Sequence, residues 1–252
     1  MTALALECAA RTDVGRRKNN EDSLYASPRL AAVADGVGGH AAGEVASHWI
    51  IEALIHLDKS RLGKPLHAAL SDAVAWGNQT IRFISECRPQ TAGMSTTLTA
   101  VALSDDGAYV LANIGDSRTY LLREGELTQL TRDDSFVQYM IDSGQLTVEQ
   151  ARRHPSRSLV MEALDGNPER RPATETLDAR TGDRLLLCSD GLSDVLEDAT
   201  LAELLGGGSS RAEAAERLVD AALEAGGRDN VSVIVADVVP RSDPGPAWPP
   251  AL

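Results

Sequence analysis

Two consecutive segments in the first third of the chain carry apolar residues at helical spacing. In "AGEVASHWIIEALIHLD" (42–58) and "LHAALSDAVAWGNQTIRFISE" (66–86), apolar side chains recur every three or four residues. The recurring positions are Val45, Trp49, Ala53 and Leu57 in the first segment, and Leu66, Ala69, Ala73, Ile81 and Ile84 in the second. This spacing predicts two amphipathic helices in succession.

Other apolar runs are shorter, rich in Val, Leu and Thr, and separated by turn residues. They cover 24–35, where Pro28 divides two runs, and also 95–104, 107–130, 183–191 and 230–239. Such runs are typical of strands. Short loops such as Asp105-Asp106-Gly107 and Glu124-Gly125 predict antiparallel hairpins.

The polar segment 133–155 predicts two short helices. Ser135 or Asp134 can cap the first helix and Gly144 can end it, while Thr147 and Gln150 can form a capping box for the second. We expect residues 132–166 to form a flap over another part of the molecule. A further helix is predicted to start at Ser210-Arg211-Ala212-Glu213 and to end at Gly226-Gly227.

Helices and hairpins in separate blocks favour an α+β fold, with antiparallel sheets covered by helices, over an alternating parallel sheet. The chain has 252 residues, of which 43% are hydrophobic, which suits one large domain. We predict that this domain spans 1–238. The Pro-rich segment 239–252 is predicted to be an extended or disordered tail.

Composition narrows the functional classes. The net charge of −13, without a basic segment, disfavours nucleic-acid binding. No apolar window is long enough to span a membrane, and the N-terminus lacks the pattern of a secretory signal, so a cytoplasmic protein is expected. The three cysteines, Cys8, Cys87 and Cys188, fit neither a disulfide framework nor a thiolate zinc site.

The stretch "ADGVGGHAAG" (34–43) allows two interpretations. Residues 36–41 match the G-x-G-x-x-G/A pattern of dinucleotide-binding loops, whereas Asp35 and Gly36 could instead form a metal-binding turn. A dinucleotide fold also needs a parallel βαβ unit and an acidic residue about 20 positions later. The candidates at that distance, Glu52 and Asp58, lie in a helical pattern, which weakens the first interpretation.

Five aspartates lie beside turn residues or at strand ends in distant parts of the sequence. They are Asp22, Asp35, Asp116, Asp190 and Asp229. Any one of them alone is more typical of an ordinary turn than of a ligand. Together at one sheet edge they would repel each other, and a hard divalent cation such as Mg²⁺ or Mn²⁺ would relieve the repulsion.

The same segments resemble the ordered motifs of the PP2C (PPM) family of bacterial metal-dependent protein serine/threonine phosphatases. The matching stretches are "TDVGRRKNNEDS", "ADGVGGHAAGEVAS", "GMSTTLTAV", "NIGDSRTYLL", "LLLCSDGLSD" and "RDNVSVIV", in that order over about 8–238. The resemblance implies an αββα sandwich, in which two packed antiparallel sheets are flanked by helices on both sides. It also implies two Mn²⁺ or Mg²⁺ ions per active site.

The resemblance further implies a role for each matching residue. Asp35 would bridge two metals, with the Gly36 carbonyl nearby, and Asp190 and Asp229 would hold one of them. Asp22 and Glu21 would act mainly through metal-bound water. Asp116, with Asp190, would bind a third and weaker metal. Arg17 would bind the phosphate, although the adjacent Arg16 is also basic.

A covalent nucleophile is not evident in the sequence. Neither Cys87 nor Cys188 is followed at the required spacing by the arginine of a Cys-x5-Arg loop, and a G-x-S-x-G elbow is missing. Direct attack on the phosphate by a metal-bridging water is therefore the mechanism that remains. Val37 stands where many eukaryotic relatives have a histidine, so His40 is a candidate proton donor, with a structural role equally open.

The leading hypothesis is a cytoplasmic, monomeric phosphatase of phosphoserine and phosphothreonine proteins that opposes a Ser/Thr protein kinase. A phosphoprotein-binding regulator with the same fold but no catalytic activity is the alternative. Neither nucleic acid nor membrane is an expected partner.

Overall fold

The computed structural model describes residues 3–37, 42–60 and 64–241. Its strands are β1 (Leu4–Asp13), β2 (Ser23–Ala26), β3 (Leu30–Ala34), β4 (Gly36–Val37), β5 (Ser95–Thr96), β6 (Leu98–Leu103), β7 (Ala108–Ile114), β8 (Arg118–Arg123), β9 (Glu126–Gln129), β10 (Ala173–Asp178), β11 (Arg184–Cys188) and β12 (Val231–Pro240). Its α-helices are α1 (Gly43–Lys59), α2 (Leu66–Cys87), α3 (Phe136–Asp142), α4 (Val148–Arg152), α5 (Asp190–Ser193), α6 (Asp198–Leu205) and α7 (Arg211–Glu224).

The strands form two main sheets. One has the order β1-β12-β11-β8-β9 and the other β10-β7-β6-β3-β2, while β4 and β5 form a small separate pair. Each of the pairings between described strands is antiparallel. The βαβ unit that a dinucleotide-binding loop needs is therefore not formed around Gly36, which lies in β4.

Three apolar clusters define the layers. One cluster joins α1 and α2 to the outer face of the β3 sheet through residues such as Ile50, Leu70 and Leu98. Another joins α6 and α7 to the β12 sheet, and a third lies between the sheets. Since strand side chains alternate between faces, each sheet contributes to two clusters. The predicted αββα sandwich is confirmed.

Local sequence signals account for the predicted helices. Ser135 caps α3 by accepting a hydrogen bond from the N–H of Gln138, and Thr147 forms a capping box with Gln150 at the start of α4. Ser210 forms a second capping box at the start of α7. Both predicted capping boxes are present because each provides acceptors for otherwise unpaired N–H groups of a first helical turn.

Some elements differ from the prediction. The strand predicted over 183–191 ends at Cys188, and the short helix α5 starts at Asp190. The final strand β12 continues through Pro240, two residues beyond the predicted end of the domain at 238. The predicted tail thus begins inside a strand, and residues 242–252 lie outside the described residues. Within the described residues, none of the helices has the length and hydropathy needed to cross a membrane.

Candidate metal centre

Loops at one end of the sandwich bring the predicted acidic residues together. Asp35 follows β3, Asp116 lies in the turn between β7 and β8, and Asp190 follows β11. Asp229 precedes β12, and Glu21 precedes β2. Antiparallel register places these strand ends side by side, because Ser23 pairs with Ala34, and Cys188 pairs with both Arg118 and Val233.

A cavity of about 410 Å³ opens at this end of the sandwich. Its lining consists of Arg17, Lys18, Asn19, Glu21, Asp35, Gly36, Val37, Asp116, Ser158, Val160, Asp190, Asp229 and Asn230. The structure therefore gathers all but two of the predicted site residues around one space. Of those two, Asp22 lies next to the cavity, and His40 lies outside the described residues.

The main chain at Asp35 is held from both sides. Its N–H donates to Oγ1 of Thr97 at 3.1 Å, and its C=O accepts from Oγ1 of Thr96 at 2.8 Å and from the N–H of Thr97 at 2.9 Å. These bonds link the end of β3 to the start of β6. The carboxylate is thus held over the cavity by a rigid main chain.

Two buried carboxylate oxygens have no hydrogen-bond partner among the described residues. They are Oδ1 of Asp22 and Oδ1 of Asp190. The other oxygen of Asp22 accepts a hydrogen bond from Oγ of Ser189 at 2.9 Å. A buried carboxylate oxygen without a donor is costly, and such oxygens are suited to bind a hard cation.

Burial and mutual repulsion disfavour the charged forms of these groups. Burial raises the pKa of Asp35 and of Asp190 well above the usual value, and neighbouring carboxylates add to the effect. The pKa of Asp116 rises to about 7, mainly through burial and then through Asp133 and Asp194. A cation in the cavity would remove this repulsion. Carboxylate pKa values that are raised in this way are expected of the ligands of a metal centre before a cation binds.

The described residues do not form a closed cage of protein ligands. No group of three or more Asp, Glu, His or Cys side chains in the described part of the chain is arranged to hold a metal ion on its own. Mg²⁺ retains several waters and binds through only one or two carboxylates. An open cavity lined by separate carboxylates and by Gly36 fits that mode of binding.

Arg17 lies at the edge of the cavity and pairs with Asp229. Its Nη2 donates to Oδ2 of Asp229 at 2.6 Å, while its side chain keeps 54% of its surface exposed. Arg16 is exposed and does not line the cavity. The structure thus distinguishes the two adjacent arginines, since Arg17 and not Arg16 is placed to contact an anion in the cavity.

Asn230 was not identified from the sequence as a site residue. Its Oδ1 accepts from the N–H of Glu21 at 2.9 Å, and its Nδ2 donates to the C=O of Val14 at 3.0 Å and of Asn19 at 2.9 Å. One buried amide therefore fixes the loop that carries Arg17 and Glu21 to the start of β12. The fit of an amide to N–H and C=O groups on two distant segments is not visible in a linear motif.

Two glycines bring the loop after β3 against the start of α1. A Cβ on Gly43 would lie 2.5 Å from Oε2 of Glu21 and 2.9 Å from the carbonyl carbon of Gly36. Any side chain at Gly43 would therefore push both Gly36 and Glu21 away from the start of α1. Close approach, rather than an unusual backbone angle, explains these glycines.

Thiol chemistry at this site is disfavoured. Cys188 is the cysteine closest in sequence to the acidic residues, and burial raises its pKa to about 12. A thiol with such a pKa carries almost no thiolate at neutral pH. Cys8, Cys87 and Cys188 are all free.

The described residues thus form an antiparallel two-sheet sandwich with a carboxylate-lined cavity at one end, as the motif resemblance implied. The model of the protein phosphatase 2C family matches residues 15–225. The chain therefore belongs to the protein phosphatase 2C family, as its motifs predicted.

Known relatives agree with this assignment. The serine/threonine protein phosphatase PstP of Mycobacterium tuberculosis is 54% identical over 94% of this chain and 46% of its own length. The serine/threonine phosphatase stp of Listeria monocytogenes is 34% identical over 90% of this chain and 94% of its own. The chain thus spans about half the length of the first of these relatives and nearly all of the second.

A solved structure supports the fold. The crystal structure of the catalytic domain of PstP in complex with two manganese ions superposes with a TM-score of 0.87 and 52% identity. The match covers 94% of this chain and 99% of that chain.

Proposed function

We propose that this protein hydrolyses phosphoserine and phosphothreonine in proteins, with two Mn²⁺ or Mg²⁺ ions in the acidic cavity. The observation that supports this proposal most directly is the pair of buried carboxylate oxygens of Asp22 and Asp190, which lack a partner within the described part of the chain and lie beside one open cavity. Family membership and the two manganese ions of the PstP catalytic domain support the same choice of metal and reaction.

We assign the metal ligands among the gathered residues. Asp35 would contact both ions, and Gly36 would offer its carbonyl oxygen. Asp190 and Asp229 would hold one ion, while Glu21 and Asp22 would act through water. In addition to burial, the charge of Asp116 raises the pKa of Asp190, and the charge of Asp194 raises the pKa of both. Asp116 would serve a third and weaker site.

The ions, when bound, supply positive charge that lowers the pKa of water and neutralises the phosphoryl oxygens. The protein residues supply orientation. The threonines beside Asp35 fix its main chain, and Ser189 donates a hydrogen bond to the carboxylate of Asp22. Preorganised charges of this kind lose little energy to rearrangement during the reaction.

Arg17 is the residue that we assign to the phosphate. In the structure it is held by Asp229, which would itself be a ligand. Its planar guanidinium can donate two parallel hydrogen bonds to phosphate oxygens. The proton that the leaving serine or threonine needs remains to be assigned, with His40 and water as the two candidates.

The test is turnover of p-nitrophenyl phosphate and of a phosphothreonine peptide with Mn²⁺, before and after EDTA. We expect EDTA to abolish turnover of both substrates. We expect Asp190→Asn to lower turnover by at least about 10–100-fold, since even residues that only support ligands have effects of that size. Asp220→Asn, on the exposed face of α7, is the matched control and should retain full activity.

Two outcomes would contradict the proposal. Turnover that survives EDTA or Asp190→Asn would exclude the assigned metal centre. Tight binding of the phosphopeptide without hydrolysis, in the presence of Mn²⁺, would instead support the alternative of a phosphoprotein-binding regulator.

We further propose that the protein acts in the cytoplasm as a monomer and opposes a Ser/Thr protein kinase. Three free cysteines suit a reducing compartment. The acidic charge of −13 disfavours nucleic acid as a partner. Gel filtration measures the oligomeric state directly.

A further inference from the structure

An extended segment of the flap lies along the cavity. A β-bridge joins Val160 to Ser135. The N–H of the residue after Ser135 donates to the C=O of Leu159 at 2.9 Å, and the N–H of Met161 donates to the C=O of the residue before Ser135 at 2.7 Å. In an antiparallel pair, bonds in these positions leave the two bridged residues without a mutual hydrogen bond. The N–H and C=O of Val160 therefore point away from Ser135.

This outward edge of Val160 is unpaired within the described part of the chain. Among the described residues, no hydrogen bond involves the N–H or C=O of Val160. Val160 is only partly buried, and it lines the acidic cavity. An exposed strand edge with an unpaired donor and acceptor can pair with an extended peptide.

The side chains of this segment alternate between two environments. Ser158 and Val160 line the cavity. Leu159 and Met161 expose 50% and 53% of their surface. Ser158 ends the preceding turn, and across residues 159–161, where the bridge forms, this alternation is the period of two that a strand produces. A paired peptide would therefore meet the cavity on one face and two exposed apolar side chains on the other.

We propose that Val160 binds the substrate peptide as an added antiparallel strand, with the phosphorylated residue directly opposite. Two residues that exchange both main-chain bonds have their side chains on the same face of a sheet. The phosphorylated side chain then points into the cavity, and its two neighbours lie beside Leu159 and Met161. The site therefore prefers extended phosphopeptides with apolar residues immediately before and after the phosphorylated one. This inference rests on the proposed function, because it describes how the same cavity receives its substrate.

Binding of modified peptides tests the pairing without altering the protein. The probe is a fluorescein-labelled nine-residue peptide with a phosphonate analogue of phosphothreonine at its centre and leucine on both sides. An ester in place of the central residue's N–H removes one donor and keeps the shape. We expect the Kd, measured by fluorescence anisotropy with Mn²⁺, to rise about 3–10-fold, the size expected for one hydrogen bond.

The matched control peptide carries the ester one residue earlier, where the replaced N–H points away from Val160 and the weakened ester carbonyl is not the one that pairs with Val160. Its Kd should stay within about twofold of the unmodified peptide. Equal effects at both positions, or no effect at either, would overturn the inference. Because the phosphonate is not hydrolysed, this result is independent of turnover, whereas failure to hydrolyse p-nitrophenyl phosphate would count against the proposed function alone.

The apolar preference has its own test on the protein side. The double variant Leu159→Ser, Met161→Ser should bind the leucine-flanked peptide and a serine-flanked peptide equally, while the unaltered protein prefers the former about 3–10-fold, as expected for partial burial of two apolar side chains. Tyr139→Ser, at another exposed apolar position of the flap, is the control and should keep the preference. No preference in the unaltered protein would contradict this part of the inference.

Discussion

At the scale of single residues, neighbours in sequence differ in function because of what they contact. Arg16 and Arg17 have the same side chain, yet only Arg17 lines the cavity and pairs with Asp229. The motif resemblance pointed to Arg17. The pairing with Asp229 supplies a physical reason, because the ion pair holds the guanidinium at the cavity edge.

Replacement of this arginine tests its assigned role. We expect Arg17→Ala to lower kcat/KM for a phosphothreonine peptide by about 10–100-fold, because a charged donor to the phosphate is lost. Arg17→Lys should restore only part of the rate, since lysine keeps the charge but not the planar donor pair. Arg16→Ala is the control, with a change of about twofold at most. Equal losses for the two alanine variants, in steady-state kinetics, would argue against a phosphate-binding role.

At the scale of elements, a buried carboxylate links the two sheets by a hydrogen bond from one sheet and an ion pair within the other. Asp183, just before β11, accepts from Tyr109 of the opposite sheet at 2.6 Å. Its two oxygens also accept from Nε and Nη2 of Arg123 at 2.7 and 2.6 Å. Burial alone would raise the pKa of Asp183, but these donors outweigh it and lower the pKa below its usual value.

The lowered pKa predicts a loss of stability in acid. Asp183 contributes its stabilisation fully above the pKa of an unfolded aspartate, about 3.9. That contribution is lost as the pH falls through the lower pKa of the folded state. We expect Asp183→Asn to cost about 3 kcal/mol at pH 7, since it breaks a buried pair. The difference from the unaltered protein should shrink as the pH falls below about 4.

Urea unfolding across this pH range measures the difference. Asp178→Asn is the control, because the side chain of Asp178 is exposed. A difference that stays constant from pH 7 to pH 3 would show that the charge of Asp183 is not what stabilises the junction.

Sequence patterns predicted the elements whose signals are local. Two capping boxes and the alternation of turn residues sufficed for α4, α7 and the central hairpins. By contrast, β10 was missed because it is an edge strand with almost wholly exposed side chains, so no apolar pattern marks it. The start of α5 at Asp190 was also missed, since a helix of four residues is too short to show an apolar period.

In the candidate site, too, residues marked by a local motif were predicted, and residues that act through distant segments were not. The acidic residues were predicted because each lies at a strand end within a family motif. Asn230 and Val160 were not, because their roles depend on main-chain groups contributed by segments far away in sequence. Motifs identify side chains that carry chemistry more readily than those that organise a loop.

At the scale of the whole molecule, stability and function oppose each other in the acidic cavity. Burial and repulsion raise the pKa values of Asp35 and Asp190. A raised pKa means that the folded state favours the protonated form, so each ionised carboxylate destabilises the metal-free fold at neutral pH. A bound cation would reverse this effect.

This opposition predicts how thermal stability responds to metal. At neutral pH, Mn²⁺ at about 100 times its Kd should stabilise the protein by about 2.7 kcal/mol, or roughly 5–11 °C in Tm. Without metal, Asp190→Asn should raise Tm even though it removes activity. With Mn²⁺, the variant should gain much less than the unaltered protein. A metal-free variant that melts below the unaltered protein, by differential scanning fluorimetry, would contradict this account.

The connection made by Asn230 has a consequence for the order in which the protein is made. Arg17, Glu21 and Asp22 belong to the beginning of the chain, whereas Asp229 and Asn230 precede its final strand, β12. Because β1 pairs with β12 along its whole length, the early loop gains its anchor only after that strand has been synthesised. A chain still growing on the ribosome therefore has an unfinished cavity until β12, the last strand within the described residues, has been made.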